Sequence, residues 1–345
     1  MRTQPAAFRP GAPFPPHPRR LWRSNPPLTL LVAGMVALLA IALVGLVVDP
    51  RVITGAPAWM KPAKFAISIA VYGATLLWLL GFLADRPRLR AFISGAALAG
   101  FGAEMALITL QVVRGTTSHF NLATPLDAAV FRIMGAVIVG MWLLTMLVAV
   151  LLFRRVFAAP SLVWGVRLGL IAALLGMAVA FLMTQPTPAQ EATIAASGSS
   201  PIIGAHAVGV EDGGPGLPLV GWSTTGGDLR VAHFFGLHGL QALPIAGWLL
   251  ARFGPGWLSA RGRVRLTIIA GLFWIALTLL LVWQALRGQP LIAPDAQTLA
   301  ALAGMLGSAV AGIALIFVRE TRGTRLAPRG PIERWTGVMG RPRGA

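Results

Sequence analysis

Eight apolar runs of about twenty residues recur along this chain, each long enough to cross the hydrocarbon core of a bilayer as a helix. They lie near 28–48, 65–84, 91–113, 128–153, 162–184, 231–251, 265–286 and 298–318. In lipid every backbone N–H and C=O must be paired within its own segment, and a helix does this. Charged residues make up only 12% of the 345 positions, where a soluble domain carries about a quarter. The expected fold class is all-α: a polytopic integral membrane protein with eight transmembrane helices in contact with the lipid bilayer.

The net charge of +18 reads as a signal of topology. Affinity for nucleic acid needs cations gathered on one surface, and here they sit in short loops and tails beside the apolar runs, so no nucleic-acid partner is expected. Arg2, Arg9, Arg19, Arg20 and Arg23 precede the first run. Arg86, Arg88 and Arg90 follow the second, Arg154 and Arg155 the fourth, and Arg252, Arg261 and Arg263 the sixth. Arg319, Arg322, Arg325, Arg329 and Arg334 follow the eighth. The loops between are poor in arginine, and the longest, 185–229, carries Glu191, Glu211, Asp212 and Asp228. The positive-inside rule then puts both termini in the cytoplasm of a cell with the protein in its cell membrane. Residues 1–27, rich in Pro and Arg without hydrophobic period, read as a disordered cytoplasmic tail, and 319–345 as a second, basic one. The first run exceeds a signal-peptide core and reads as an uncleaved span.

The chain also repeats itself at an offset of roughly 170 residues. Gln111-Val112-Val113-Arg114-Gly115 ends the third run and Gln284-Ala285-Leu286-Arg287-Gly288 the seventh, with Asp127 and Asp295 following. Lys61 and Lys64 open the second run where Arg230 and His233 open the sixth, and Trp78-Leu79-Leu80 matches Trp248-Leu249-Leu250. Two similar four-helix halves are expected, 28–158 and 159–318, the second carrying the long outer loop. Four spans is an even number, so the halves would share one orientation, related by an axis along the membrane normal.

Polar side chains inside such runs are costly and default to functional hypotheses. Arg230, His233, His238 and Gln241 share one broad helical face after Asp228, with Pro244 below. Lys61 and Lys64 are the only lysines, and form a stripe with Ser68, the sole tyrosine Tyr72 and Thr75. Glu104 lies inside the third run on the same face as Gln111, and a lysine of the second run is its expected partner. His119 sits in the polar loop after the third run; His206, in the glycine-rich outer loop, reads as a solvated loop histidine. All of these, with Asp127, fall in the outer half. The tryptophans are spaced as interfacial anchors.

An outward-facing polar site follows, binding a small molecule, ion or cofactor. Three chemistries stay open. One is haem or a transition metal for redox work, with His233 or His238 as axial ligand and His119 opposite. Another is a secondary transporter or ion-coupled permease, with Glu104 as coupling acid and Lys61, Lys64 and Arg230 holding an anion. The third is a membrane-embedded metal-dependent enzyme using the three histidines near Glu104 or Asp127. A scaffold with purely structural polar groups is the remaining alternative. With no cysteine there are no thiolate metal sites, iron–sulfur clusters or covalent c-type haem. The phosphate-loop, His-Glu-x-x-His and Gly-x-Ser-x-Gly motifs are absent. In plan, the eight spans, doubled four-helix arrangement and outward histidines resemble the haem A synthases. That family carries histidine ligands on paired helices of both halves and a Glu-x-x-His-Arg signature. This chain has no such signature and no histidine in its second, fourth or eighth run.

Overall fold

In the computed structural model, which describes residues 23–156 and 158–326, all eight apolar runs are helices of membrane-spanning length. The chain is an all-α, multi-pass membrane protein. The spans are α1 (Pro26–Val48), α2 (Met60–Gly81), α3 (Pro87–Val113), α4 (Pro125–Phe153), α5 (Pro160–Met183), α7 (Leu229–Phe253), α8 (Ala260–Leu286) and α9 (Ala296–Leu326), and α6 (Pro188–Ser197) is a short helix in the long loop. The disorder expected of residues 1–22 and the tail beyond 326, with Trp22, His17 and the tail arginines there, lies outside the described residues.

Several helices begin earlier than hydropathy indicates, α2 at Met60 and α8 at Ala260. Long cationic side chains near a helix end can reach water while their stems stay in the apolar zone, so hydropathy undercounts such turns. Proline in the first turn presets the helical φ in α1, α3, α4 and α5. Side-chain caps fix the starts of α1, α4, α7 and α8: Asn25 accepts from Leu28 N, Thr124 from Asp127 N, Asp228 from Arg230 N and Ser259 from Gly262 N.

The helices alternate in direction, leaving a loop end (49–59, 114–124, 184–228, 287–295) opposite a tail end. In the first four spans α1 packs on α2, α3 against both, and α4 against α3. In the last four α5 packs on α7, α8 against both, and α9 against α8, while α4 meets α5. The main apolar core holds Leu28, Leu31, Leu79, Leu80, Ile93 and Leu152, all at most 1% exposed. The α5–α7 crossing is the closest. A Cβ added to Gly176 would come within 2.6 Å of Leu237 N, and one on Gly239 within 2.6 Å of the Ala172 methyl. Only hydrogen at these positions lets the two backbones meet, the usual basis of tight packing between helices in lipid. By contrast, α9 has 6% of its span buried against 56% for the span led by α5.

The long loop is strapped down. Thr187 and Gln190 form a capping box at the start of α6, which ends on left-handed Gly198. Gln190 also accepts from Gly204 N and donates to its carbonyl. Ile203 N donates to Phe120 O and Ala205 N to Met183 O. Strand β3 (Ala207–Val208) pairs antiparallel with β4 (Gly227–Asp228), after a smaller hairpin of β1 (Val52–Ile53) and β2 (Ala56–Pro57). These bonds carry residues 206 and 212 inward over the loop end of the bundle.

Candidate functional site

Glu104 is the centre of the loop-end polar cluster. It sits on the inward face of α3, is 1% exposed, and neither carboxylate oxygen has a hydrogen-bond partner. Nε2 of His119 stands 4.0 Å from Oε1, beyond hydrogen-bond reach. Lys61, at the start of α2, is an opposing charge acting on Glu104, yet no ion pair within 4.0 Å closes between them. The other deeply buried carboxylates are saturated. Asp127 accepts from Gln111, Arg114 and Thr124. Asp228 accepts from Ser223 N and, through both oxygens, from the Arg230 guanidinium. An unpaired buried carboxylate costs several kcal/mol, so Glu104 is the exception that calls for a role.

His119 faces it, and a second loop histidine, His206, lies beside His119 across the Phe120 ring. His206 is held by Asp212, which accepts from the Nδ1–H at 2.6 Å and from the backbone N–H groups of His206 and Ala207. Burial alone would raise the Asp212 carboxyl, but the His206 hydrogen bond and charge, with those backbone bonds, outweigh it and hold the group at about 2. Burial lowers His206 below the ordinary histidine value, against the Asp212 hydrogen bond and charge, with the cations of Lys61 and Arg230 lowering it further. Its Nδ1–H is thus committed, and Nε2 keeps its lone pair. Burial also pushes His119 well below the ordinary value, and the Lys61 and His206 charges push it further. Its Nδ1 bonds the Ser118 hydroxyl at 2.9 Å. Phe120 stands edge-on to both imidazoles, with ring centroids 6.1 Å from His119 and 4.9 Å from His206. It does so from a left-handed backbone, φ 65°, a strained setting for a bulky residue.

The face drawn along α7 divides among different neighbours. Arg230 is spent on Asp228 and on Gly221 O. His233 bonds Gly176 O of α5 at 2.8 Å. Gln241 donates to Thr75 of α2 at 3.0 Å. His238 is exposed, with Gln241 at 3.4 Å, and stands apart from the cluster. The hydrogen bonds and ring contacts of His119 run to Ser118, Phe65 and Phe120, not to His233 or His238. Lys64 donates to Val220 O at 2.8 Å and so pins the loop. Tyr72 bonds Thr145 of α4 at 2.7 Å.

Gln111 and Asp127 belong to a clamp: the Arg114 guanidinium bonds both, tying the end of α3 to the start of α4. Arg287 and Asp295 tie α8 to α9 in the same way at 2.5 Å. Glu104, Lys61, His119, His206 and Asp212 therefore converge, while Gln111, Asp127, Asp228, Arg230, Lys64, Tyr72 and Gln241 hold the frame. His206 and Asp212 are the additions that sequence reading passed over; the signal for them was an acid six residues after a histidine in an acid-bearing loop. Among the described residues no three His, Asp or Glu side chains are grouped to hold a metal ion. The arrangement can accept and donate protons and can hold a small group bearing both donors and acceptors. No known protein family, curated protein or solved structure matches this chain, and the likeness to the haem A synthases is one of plan.

Proposed function

We propose that the protein binds a small polar molecule or ion from the outer side of the cell membrane and exchanges a proton with it at Glu104, as an ion-coupled permease would. The observation that carries this reading is the orphaned, 1% exposed Glu104 carboxylate beside Lys61 and His119. Glu104 would take an ammonium, hydroxyl or proton, and Lys61, which makes no hydrogen bond among the described residues, would take an acidic group. The arginine distribution supports an outward loop end with both termini cytoplasmic. The repeated neighbour pattern and paired Arg–Asp clamps support two duplicated halves, between whose second helices, α2 and α7, the Thr75–Gln241 bond runs. That bond and Tyr72–Thr145 extend the polar seam about 16–21 Å below Lys61, at 1.5 Å per residue. Beyond it Leu76, Leu79, Leu80 and Leu83 close the tail end, each at most 2% exposed, and Glu104 is itself 1% exposed beneath the strapped loop, so this conformation is an occluded one that must open at the loop end to admit a ligand.

The His206–Asp212 pair favours a second reading, an outer-leaflet acid–base enzyme, because a committed Nδ1–H leaves Nε2 as a general base. The haem and metal readings lose support from the separation of His238 and from the absence of a three-ligand group among the described residues. The test is infrared difference spectroscopy of the reconstituted protein as external pH is changed. A protonated-carboxyl band that responds to external pH and is lost in E104Q is expected; a spectrum that E104Q leaves unaltered sinks the proposal. Proton movement driven by the ligand in sealed vesicles separates permease from enzyme.

A further inference from the structure

At the tail end a cleft of about 710 Å³ opens between the start of α8 and the end of α9, lined by Trp257, Arg261, Arg265, Arg319 and Glu320. Its three guanidinium groups make no hydrogen bond or ion pair among the described residues. Elsewhere at this end Arg155 is bonded to Asp85 and Arg263 to the backbone carbonyls of Ala251 and Leu258. The one acid in the lining, Glu320, accepts from both the N–H and the hydroxyl of Ser259 and offsets part of the Arg265 charge, which leaves the cleft with an excess of cations. One wall is apolar: Trp257 stands 5.2 Å from Phe317, ring to ring. Both rings are partly exposed, and an indole favours the bilayer interface.

We propose that this cleft binds an anionic phospholipid, its phosphate held by Arg261, Arg265 and Arg319 and its acyl chain lying along Trp257 and Phe317. Three cations against one committed acid suit a phosphate, and guanidinium suits it better than ammonium because it offers a planar fork of donors. Arginines that only set topology are solvated singly; these three share one cavity with an aromatic wall on its lipid side. The site is independent of the loop-end cluster and would stand if that reading failed.

The experiment is native mass spectrometry of the full chain released from mild detergent, with dioleoyl phosphatidylglycerol and dioleoyl phosphatidylcholine as probes. The wild type is expected to keep one phosphatidylglycerol at collision energies that strip phosphatidylcholine. Each cation near a membrane surface contributes about fivefold in affinity, so R261Q/R265Q/R319Q should lose that preference, whereas R261K/R265K/R319K keeps part of it. The control R86Q/R88Q/R154Q, with the same charge removed at the same end but outside the cleft, should bind as the wild type does. Equal retention of the two lipids, or equal losses in the cleft and control variants, overturns the proposal. Inorganic phosphate, at matched ionic strength, is the remaining arm. If it displaces the lipid and raises the thermal midpoint alone, the site is one for free phosphate and the lipid assignment fails.

Discussion

Glu104 sets the sharpest expectation at the level of single residues. Replacing it with glutamine removes an unpaired buried charge, so E104Q should be more stable, by on the order of 1–3 kcal/mol, while losing ligand-linked proton exchange. Melting of the detergent-solubilised protein checks the first half; a lowered midpoint would mean the carboxylate is already paired. D228N should move the other way, because it removes the charge facing the Arg230 guanidinium and leaves one acceptor oxygen where Arg230 and Ser223 N use two. His119 and His206 add a pH dependence. Both are held below the ordinary histidine value, so the unfolded chain takes up protons first as pH falls. Their contribution is complete above about pH 6.5 and is lost below it towards the folded values. Thermal midpoints measured from about pH 7.5 to 5.5 should fall, and H119Q/H206Q should flatten that limb. Asp212, held at about 2, acts in a separate window: its stabilisation is present above about pH 3.9 and lost as pH falls through the folded value. The sequence made Glu104 and Lys61 legible because charge inside an apolar run is conspicuous. His206 was not, because its burial comes from bonds such as Ile203 to Phe120 and Ala205 to Met183, which join segments far apart in the chain.

Among elements, the α5–α7 contact is the one most sensitive to a single methyl group. G176A and G239A each put a Cβ about 2.6 Å from fixed atoms of the neighbouring helix, and overpacking of that kind costs about 1–3 kcal/mol. G34A and G102A, with nothing within 4 Å of the added carbon, should be neutral or slightly stabilising, since alanine is the better helix former. Equal melting losses at all four positions would deny the close crossing. Helix existence was readable from hydropathy, whereas the starts at Pro87, Pro125 and Pro160 precede the apolar runs, because proline's preset φ opens a helix before its apolar stretch begins. Which helix meets which was not readable, because the glycines of α5 and α7 advertise smallness without naming a partner. The α7 face also reads as single in projection; in space Gly176 O takes His233 and Thr75 takes Gln241, so one stripe serves two neighbours.

For the whole molecule, orientation is open to a direct check, helped by the absence of native cysteine. A single S199C at the loop end should react with a membrane-impermeant thiol reagent on intact cells, and V156C at the tail end only after lysis. The reverse pattern would invert the topology and place Glu104 towards the cytoplasm. Alternating arginine content was enough to state that orientation, and the Gln-x-x-Arg-Gly pair to suggest two halves, because both are local signals that survive without knowledge of packing. The convergence of α2, α3 and two loops on one carboxylate depends on how the helices and loops are set together, and no local pattern encodes it. One further consequence concerns biogenesis. With 6% of its span buried and α8 its main neighbour, α9 follows the other described helices in the chain and depends on them for little besides α8. A fluorescent tag fused beyond it would therefore report that α9 entered the membrane, and would glow equally in chains whose Glu104 never met His119.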